Sequence, residues 1–499
     1  MKRFIMIAIT CASWINISAQ SANDVMMFSQ HYSGGTARSA GMGGAFGALG
    51  GDLSVLSANP AGLAVYRGSE LTITPALVFT NTRSEYDNRT FKDNSTHLIF
   101  NNIGYVYTKN LYNEKGFQSI NFGIAYNRLG DLYSKAYIKR QQATSSLLDE
   151  FVYYAYDDFG NPLPENQLNA LYEGVAWETY AINFDKNNNE YYSNYTNNGY
   201  GQPLYRSMTT GGGIGEFDFS MGANFNNKLF LGATLGIQSI YFKDSYYHEE
   251  SPLISDMDAF EFKDTYTVDG VGINFKAGLI YRPIQMLRLG AAIHTPTHLR
   301  MKPYQLTRMD TYWNTSPDDN GGKYFFAEAD TDPSEHYRMR TPWRYIFSAA
   351  TVLGNFGMWD VDLEIVDYSS SSIAPKSTYD IENGDISKDL KTALNLKTGV
   401  EFRLGPVFLR GGLGYYGNPY NKNQFASDLK KTLKATMCYS GGIGFRNRDF
   451  YMDAAYSFIK HPERLNRLYL SYDDRGDWDE IATLQTKTGK FVVTFGFKF

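Results

Sequence analysis

Hydrophobic side chains recur at every second position through most of this chain, most sharply at its end. In 490–499, Phe491, Val493, Phe495, Phe497 and Phe499 share one face, opposite Lys490, Val492, Thr494, Gly496 and Lys498. A period of two with one wholly apolar face marks a strand whose two faces meet different surroundings. Upstream, Val271, Ile273, Phe275, Ala277, Leu279 and Tyr281 oppose Gly272, Asn274, Lys276, Gly278 and Arg282. Trp359, Val361, Leu363 and Ile365 oppose Asp360, Asp362 and Glu364. Leu394, Leu396, Val400, Phe402 and Leu404 oppose Asn395, Lys397, Glu401 and Arg403. Val407, Leu409, Leu413 and Tyr415 oppose Arg410, Gly412 and Gly414.

A soluble sandwich also alternates, so the connections carry the decision. The pattern predicts about fourteen strands, near 69–82, 97–109, 117–128, 214–225, 228–243, 262–282, 285–300, 341–354, 357–369, 392–404, 406–417, 435–447, 449–460 and 488–499. Every second connection is short: Asn226-Asn227, Pro283-Ile284, Asn355-Phe356, Gly405-Pro406 and Asn447-Arg448. The others are long, notably 129–213, 301–340, 370–391 and 461–487. Tight turns alternating with long loops are the signature of a transmembrane antiparallel β-barrel of a Gram-negative outer membrane, with turns periplasmic and loops extracellular. An even strand count places both chain ends on the periplasmic side. Within 129–213, Leu147, Leu148, Phe151 and Val152 cluster, and Leu168, Leu171, Tyr172 and Val175 follow helical spacing. Two readings stand: a helix covering the barrel mouth, or an apolar landing site for a ligand.

Residues 1–20 have the form of a secretory signal peptide. Lys2 and Arg3 precede the apolar run Phe4–Ala12, and Ala19 offers a small residue before a cut near Gln20. That run is too short to span a bilayer, which takes roughly 20 apolar residues. Cys438 is then the single cysteine of the mature chain, so no internal disulfide forms. The 47 Lys+Arg and 52 Asp+Glu nearly balance, which argues against a nucleic-acid surface. The 39 Tyr, 33 Phe and 46 Gly suit pleated strands and close backbone approaches. A mean hydropathy of -0.38 is what a barrel gives, because only alternate residues face lipid.

Residues 21–66 show no strand alternation and are rich in small side chains. Their core runs Ala37-Arg38-Ser39-Ala40-Gly41-Met42-Gly43-Gly44-Ala45, then Asp52, then Asn59-Pro60-Ala61-Gly62. A fourteen-stranded barrel (67–499) is wide enough to need filling, and this segment suits a plug. At these residues the chain resembles the FadL/TodX family of outer-membrane transporters for hydrophobic compounds. Arg288–Thr297 and Thr341–Tyr345 resemble that family too. The resemblance implies an N-terminal hatch, with Arg38, Gly41, Gly43, Gly44, Asp52, Asn59, Pro60, Ala61 and Gly62 as its motif. It also implies passive transport of hydrophobic small molecules, such as long-chain fatty acids, from an outer-loop site to a lumenal pocket and sideways into the membrane. A chain ending on Phe495, Phe497 and Phe499 looks like the signal read by the outer-membrane assembly machinery. The expected partners are outer-membrane lipids and an apolar ligand, with the chain acting as a monomer. The alternative is an accessory or shuttle barrel of a protein-secretion machinery.

Candidate chemistry changes this picture little. Asp360, Asp362 and Glu364 could serve acid–base work or bind a cation. The favoured reading is a lumenal charge ladder, with Lys276, Lys397, Glu401, Arg403 and Arg410 also facing inward. His294 and His298 have a metal-like spacing only on a helix, and Pro296 lies between them. Neither Gly41–Gly44 nor Gly211–Gly215 follows a strand and opens a helix, as a phosphate-binding loop must. No nucleophile elbow occurs. No enzyme and no cofactor is expected.

Overall fold

Once a strand has one apolar and one polar face, the arrangement that satisfies every backbone group without an open edge is a closed barrel. The computed structural model shows one. It describes residues 22–499 except 33, 114, 194, 196–198, 252–255, 423–431 and 474–475, so the expected signal peptide lies outside the described residues. The fourteen wall strands are Glu70–Tyr86, Arg89–Asn110, Phe117–Asp131, Leu204–Phe225, Leu229–Glu250, Met257–Tyr281, Leu287–His294, Arg344–Leu353, Gly357–Asp367, Thr392–Leu404, Val407–Tyr416, Thr436–Arg446, Phe450–Asp473 and Gly476–Lys498. Each pairs antiparallel with its neighbours, and the first closes on the last from Glu70↔Lys498 to Glu85↔Thr483.

The faces sort as the alternation predicts. Val271, Ile273 and Phe275 are 59%, 55% and 48% exposed, while Asn274 and Lys276 between and beside them are buried. Among the described residues, no helix is long and apolar enough to cross a membrane. Short connections, 226–228, 282–286, 354–356, 405–406 and 447–449, gather at one end of the barrel, the turn end.

At the opposite, loop end the structure departs from the expected lengths. Residues 83–96 were to be a connection. They are paired strand instead, turning at Asp87 and Asn88, both at positive φ (50° and 58°). Asp and Asn tolerate that region and make the two-residue hairpin turn. Likewise 461–487 is largely a paired hairpin, Glu463↔Gln485 through Asp473↔Gly476. The stretch 301–340 carries His298–Trp313, Tyr324–Asp330 and Tyr337–Arg340 as further strands. Contrast weakens there because Met309, Trp313 and Ala327 pack inward under the lid while Leu306, Tyr324 and Phe326 stand exposed among charged residues outside.

The segment 129–213 supplies a lid on the loop end. Ser146 opens the helix Leu147–Tyr154 with a capping box closed by Asp149. Leu147, Leu148 and Phe151 pack with Leu168, Val175, Phe260, Phe262 and Met309 into one buried cluster, while the helical spacing at 168–175 is a single π turn, Ala170–Gly174, running into the short helix Val175–Glu178. Glu173 in that π turn is buried, its carboxylate accepting the Asn169 N–H at 3.1 Å. Burial pushes its pKa up from 4.5 to about 7. A carboxyl with a raised folded pKa makes the lid lose stability as pH rises through that window. Glu173→Gln is expected to increase hydrogen-exchange protection of 147–178 at pH 8 and to leave it unchanged at pH 5. Equal protection of the two proteins at pH 8 would count against this.

Candidate functional site: a clamped hatch and a broken ladder

Residues 22–66 fill the barrel interior through short, side-chain-capped turns. Thr36 caps the helix Ala37–Gly41 and donates to both oxygens of Asp52, at 2.8 and 2.7 Å. Asp52 in turn caps the 3-10 turn Leu53–Leu56. Asn59 caps Pro60–Val65 with Oδ1, while its Nδ2 donates to Gly47 O at 2.6 Å and to Leu279 O on the wall at 3.3 Å. The wall leaves no room for a larger neighbour: a Cβ on Gly278 would lie 2.0 Å from Asn59 Oδ1. Gly43 bends the chain at φ +67° against the Leu413 backbone, a conformation that glycine adopts freely. Gly41 O accepts from Ser440 Oγ at 3.2 Å, and Ala61 packs on Phe230 and Ile280. Pro60 occupies the first position of its turn, and Gly62 O accepts the Gly51 N–H at 3.0 Å. Gly44, at φ +76°, donates to Ser39 O at 2.9 Å.

Asn59→Ala removes a cap worth about 1 kcal/mol together with both Nδ2 bonds. We expect assembly to survive and trypsin to cut 22–66 faster; unchanged cleavage would show that Asn59 does not hold the segment.

The inward charges grip this segment. Arg38 makes a fork on Glu401, with Nε at 2.8 Å and Nη2 at 2.9 Å. Glu401 also accepts from Arg410 at 2.6 Å, and Arg410 reaches Asp453 at 2.7 Å. All four are buried. Asp362 accepts the Phe46 and Gly47 N–H groups at 2.9 and 3.1 Å, and Asp360 accepts that of Ala48 at 3.3 Å. Of the three carboxylates on that strand, Glu364 meets cations, Arg344 at 2.9 Å and Lys397 at 3.6 Å. For the two aspartates the partners are hatch amides instead. Arg403 lies on the inward side of the alternation yet is exposed, donating to Gly405 O in the turn. Lys276 is buried between Glu216 and Asp218.

The two stretches that carried the outlying resemblance both meet the hatch. Arg288 donates to Leu49 O, His294 bonds Ala58 O at 2.7 Å, and Arg344 donates to Ser29 O. His298 faces outward and is exposed, so it does not converge with His294. Between hatch and wall remains a polar cavity of about 90 Å³, bordered by His31, Lys276, His294, Arg344 and Glu364. Among the described residues, no group of side chains could hold a metal.

The path of the hatch departs from the expectation that both chain ends lie at the turn end; Phe499 does lie there, its N–H donating to Ser69 O at 3.0 Å. The helix Ala22–Ser29 lies beside the loop-end helix Asp380–Asp389, and Tyr420 OH donates to Asn23 Oδ1 at 2.8 Å. Val25, Met26 and Phe28 pack there with Ile386 and Leu390. The first described residues are thus at the loop end, and the segment threads the lumen down to the first strand at the turn end. Counting wall strands places Glu70, not the hatch before it.

One interruption breaks the wall. The second and third strands pair only from Asn102↔Asn127 to Asn110↔Ser119. At Arg128–Gly130 the third strand shifts register against the fourth, and its continuation Ser134–Arg140 pairs with 204–210 alone. Among the described residues, no ladder joins it to Arg89–Asn101. Side chains close the seam instead. His97 stacks on Tyr133 at 3.9 Å, Lys135 meets Asp93 at 3.4 Å, and Arg140 meets Asp87 at 3.4 Å. The hatch abuts its foot: Asn101 Nδ2 donates to Gly35 O, and a Cβ on Gly34 would clash with Arg128 O at 2.3 Å. Leu98 and Phe100, 73% and 63% exposed, flank it outside.

The fold of this closed fourteen-strand barrel is found in solved structures. The chain matches a Pseudomonas aeruginosa FadL homologue at 13% identity and a TM-score of 0.53 over 94% of its own length and 100% of that chain. The P. putida toluene transporter TodX matches at 12% and 0.52, covering 94% and 99%. A TodX monoaromatic hydrocarbon channel deltaS2 mutant matches at 12% and 0.53, with the same coverage. The fold is that of FadL-type channels. No protein-family model matches the chain, and neither does any curated protein.

Proposed function

We propose that this chain is an outer-membrane channel for hydrophobic small molecules, long-chain fatty acids among them, working passively and without catalysis. The single observation that carries this reading is the ladder break at Asn102/Asn127 beside a lumen filled by the hatch. A filled lumen denies a straight aqueous route, whereas a seam held by side chains alone offers a sideways one. An apolar solute gains about 0.8 kcal/mol per buried methylene on reaching the membrane core, so shielding it past the polar surface layer is enough. On this reading the turn end is periplasmic, the lid faces outward, and the monomer is inserted by machinery that reads Phe495, Phe497 and Phe499. The outward apolar band meets the surrounding lipids.

Native mass spectrometry with lipid extraction, on barrel purified in mild detergent, tests this. An apolar molecule that co-purifies, and is lost when the seam or lid is altered, is the expected result. An empty barrel carrying stoichiometric protein subunits would overturn it in favour of an accessory component of protein secretion.

A further inference from the structure

Above the outward apolar band, the loop-end extensions form a continuous sheet of six adjacent segments: 134–140, 204–210, 243–250, 257–268, 298–313 and 324–330. Their inward side chains pack the lid. The outward ones carry aromatic rings arranged across the strands. Tyr137 and Tyr205 have centroids 6.4 Å apart, and Tyr205 and Tyr247 are 6.0 Å apart. Farther along, Tyr312–Tyr324 and Tyr324–Phe326 are spaced 5.3 and 6.1 Å. Tyr324 and Phe326 are 48% and 57% exposed.

Cations alternate with these rings. Lys139 lies 5.2 Å from the Tyr205 ring, Lys263 lies 5.5 Å from Tyr247, and Arg308 lies 4.8 Å from Phe326. Carboxylates fix the belt in place. Tyr247 OH donates to Glu249 at 2.9 Å, Tyr324 OH to Asp310 at 2.6 Å, and Arg308 forks onto Asp310 at 2.7 and 2.9 Å. A set of rings already held in place loses little entropy on binding.

The height of the belt selects its occupant. On the fifth wall strand, Tyr241 is the last large apolar side chain exposed outward below the belt, and Tyr247 follows six residues later. At about 3.3 Å per residue and roughly 40° of tilt, the belt stands ~15 Å above the apolar band. A glycolipid whose acyl chains lie against Val271, Ile273 and Phe275 holds its sugars at that level. Sugar rings present flat C–H faces that stack on tyrosine, an amphipathic ring with a polar tip. Their phosphate or carboxylate groups suit Lys139, which rests on rings alone, while Lys263 is held by Glu261 at 2.9 Å and Arg308 by Asp310 and Glu328, so these two serve to fix the rings.

We propose that this belt binds the acidic or phosphorylated sugar region of outer-leaflet glycolipid surrounding the barrel. The proposal rests on the outer-membrane reading above, extends it to a second surface and leaves the lumen untouched.

The test uses the full chain in detergent, titrated with lipopolysaccharide bearing a complete core oligosaccharide and, separately, with lipid A alone. The wild type is expected to bind the former at least tenfold more tightly. The triple variant Tyr205→Ser, Tyr247→Ser, Phe326→Ser, and separately the pair Lys139→Gln, Lys263→Gln, are expected to lose that preference while still binding lipid A. Heat-modifiable migration checks that each variant is a folded barrel. Equal affinity of the wild type for the two glycolipids, or a preference that survives both variants, would overturn the proposal. So would a belt-dependent dimer that excludes glycolipid. Ligand retained in the lumen is scored in the same samples, so a failure of the transport reading shows separately from a failure here.

Discussion

Replacing Glu401 with alanine is expected to release the hatch while the barrel stays closed. Glu401 is the shared anion between Arg38 on the hatch and Arg410 on the wall. Its loss leaves the Arg38 guanidinium buried with its bidentate partner gone, although Arg410 keeps Asp453. Removing one member of a buried pair typically costs about 3–5 kcal/mol. The other contacts of the hatch, Asp362 with two amides, Arg288 and Arg344 with single carbonyls, and Asn59 with Gly47 and Leu279, are hydrogen bonds worth about 1–3 kcal/mol each. They do not replace the lost pair. The expected readouts are protease cleavage within 22–66, unchanged heat-modifiable migration of the barrel, and ion leakage through planar bilayers. Arg38→Met combined with Glu401→Met carries no stranded hatch charge, so it should leak less than Glu401→Ala alone. A sealed Glu401→Ala barrel would show that the small-residue packing of the hatch holds without the ion pair.

What the sequence displayed and what it hid divide along a physical line. Wherever an outward face meets an apolar environment, alternation is strong; hence Val271–Tyr281, Trp359–Ile365 and Phe491–Phe499 are legible as strands with their faces assigned correctly. Beyond that zone the outward face turns polar, and in places the inward face does too, as at Thr82 and Ser84. The run Asn81–Asn88 and the hairpin around 473–476 therefore carry no contrast, although the Asp87-Asn88 pair is a hairpin-turn signal. The hatch was visible as a stretch of small residues without a period. Its clamps were not, because Asp360, Asp362 and Glu401 look like any inward charges until the contents of the lumen are known. Wall glycines gave a usable hint: a Cβ on Gly232 would lie 2.2 Å from Pro60 O, and one on Gly412 2.2 Å from Gly43 N. Glycine on an inward face marked where hatch backbone presses against wall. The seam was hidden altogether. Its cause is a register shift at Arg128–Gly130, where Arg128 leaves the wall pattern to bond Asp131 and Gly212 O. Neither proline nor a change of composition announces it.

That seam supports the second large effect. If hydrophobic ligand leaves sideways there, joining its two sides must stop transport without disturbing the hatch. His97 and Tyr133 face each other across it at 3.9 Å between ring centroids. The double variant His97→Cys, Tyr133→Cys, bridged by a short bis-methanethiosulfonate (each cysteine thiolate displaces methanesulfinate to form a disulfide), fastens the second strand to the continuation of the third. Cys438 is buried and is spared by a reagent applied to the folded barrel. Uptake of a labelled hydrophobic ligand into vesicles is expected to fall at least tenfold when bridged and to return when a cleavable bridge is reduced. The unbridged variant should transport no worse than the wild type, since it loses the stacked pair that helps close the seam. Leakage of ions should not change in any of these states, because Arg38, Glu401 and the Asp362 amide bonds lie elsewhere. This separates the two routes. A bridged barrel that still delivers ligand, combined with a Glu401→Ala barrel that delivers it faster, would place the pathway through the hatch and not through the wall.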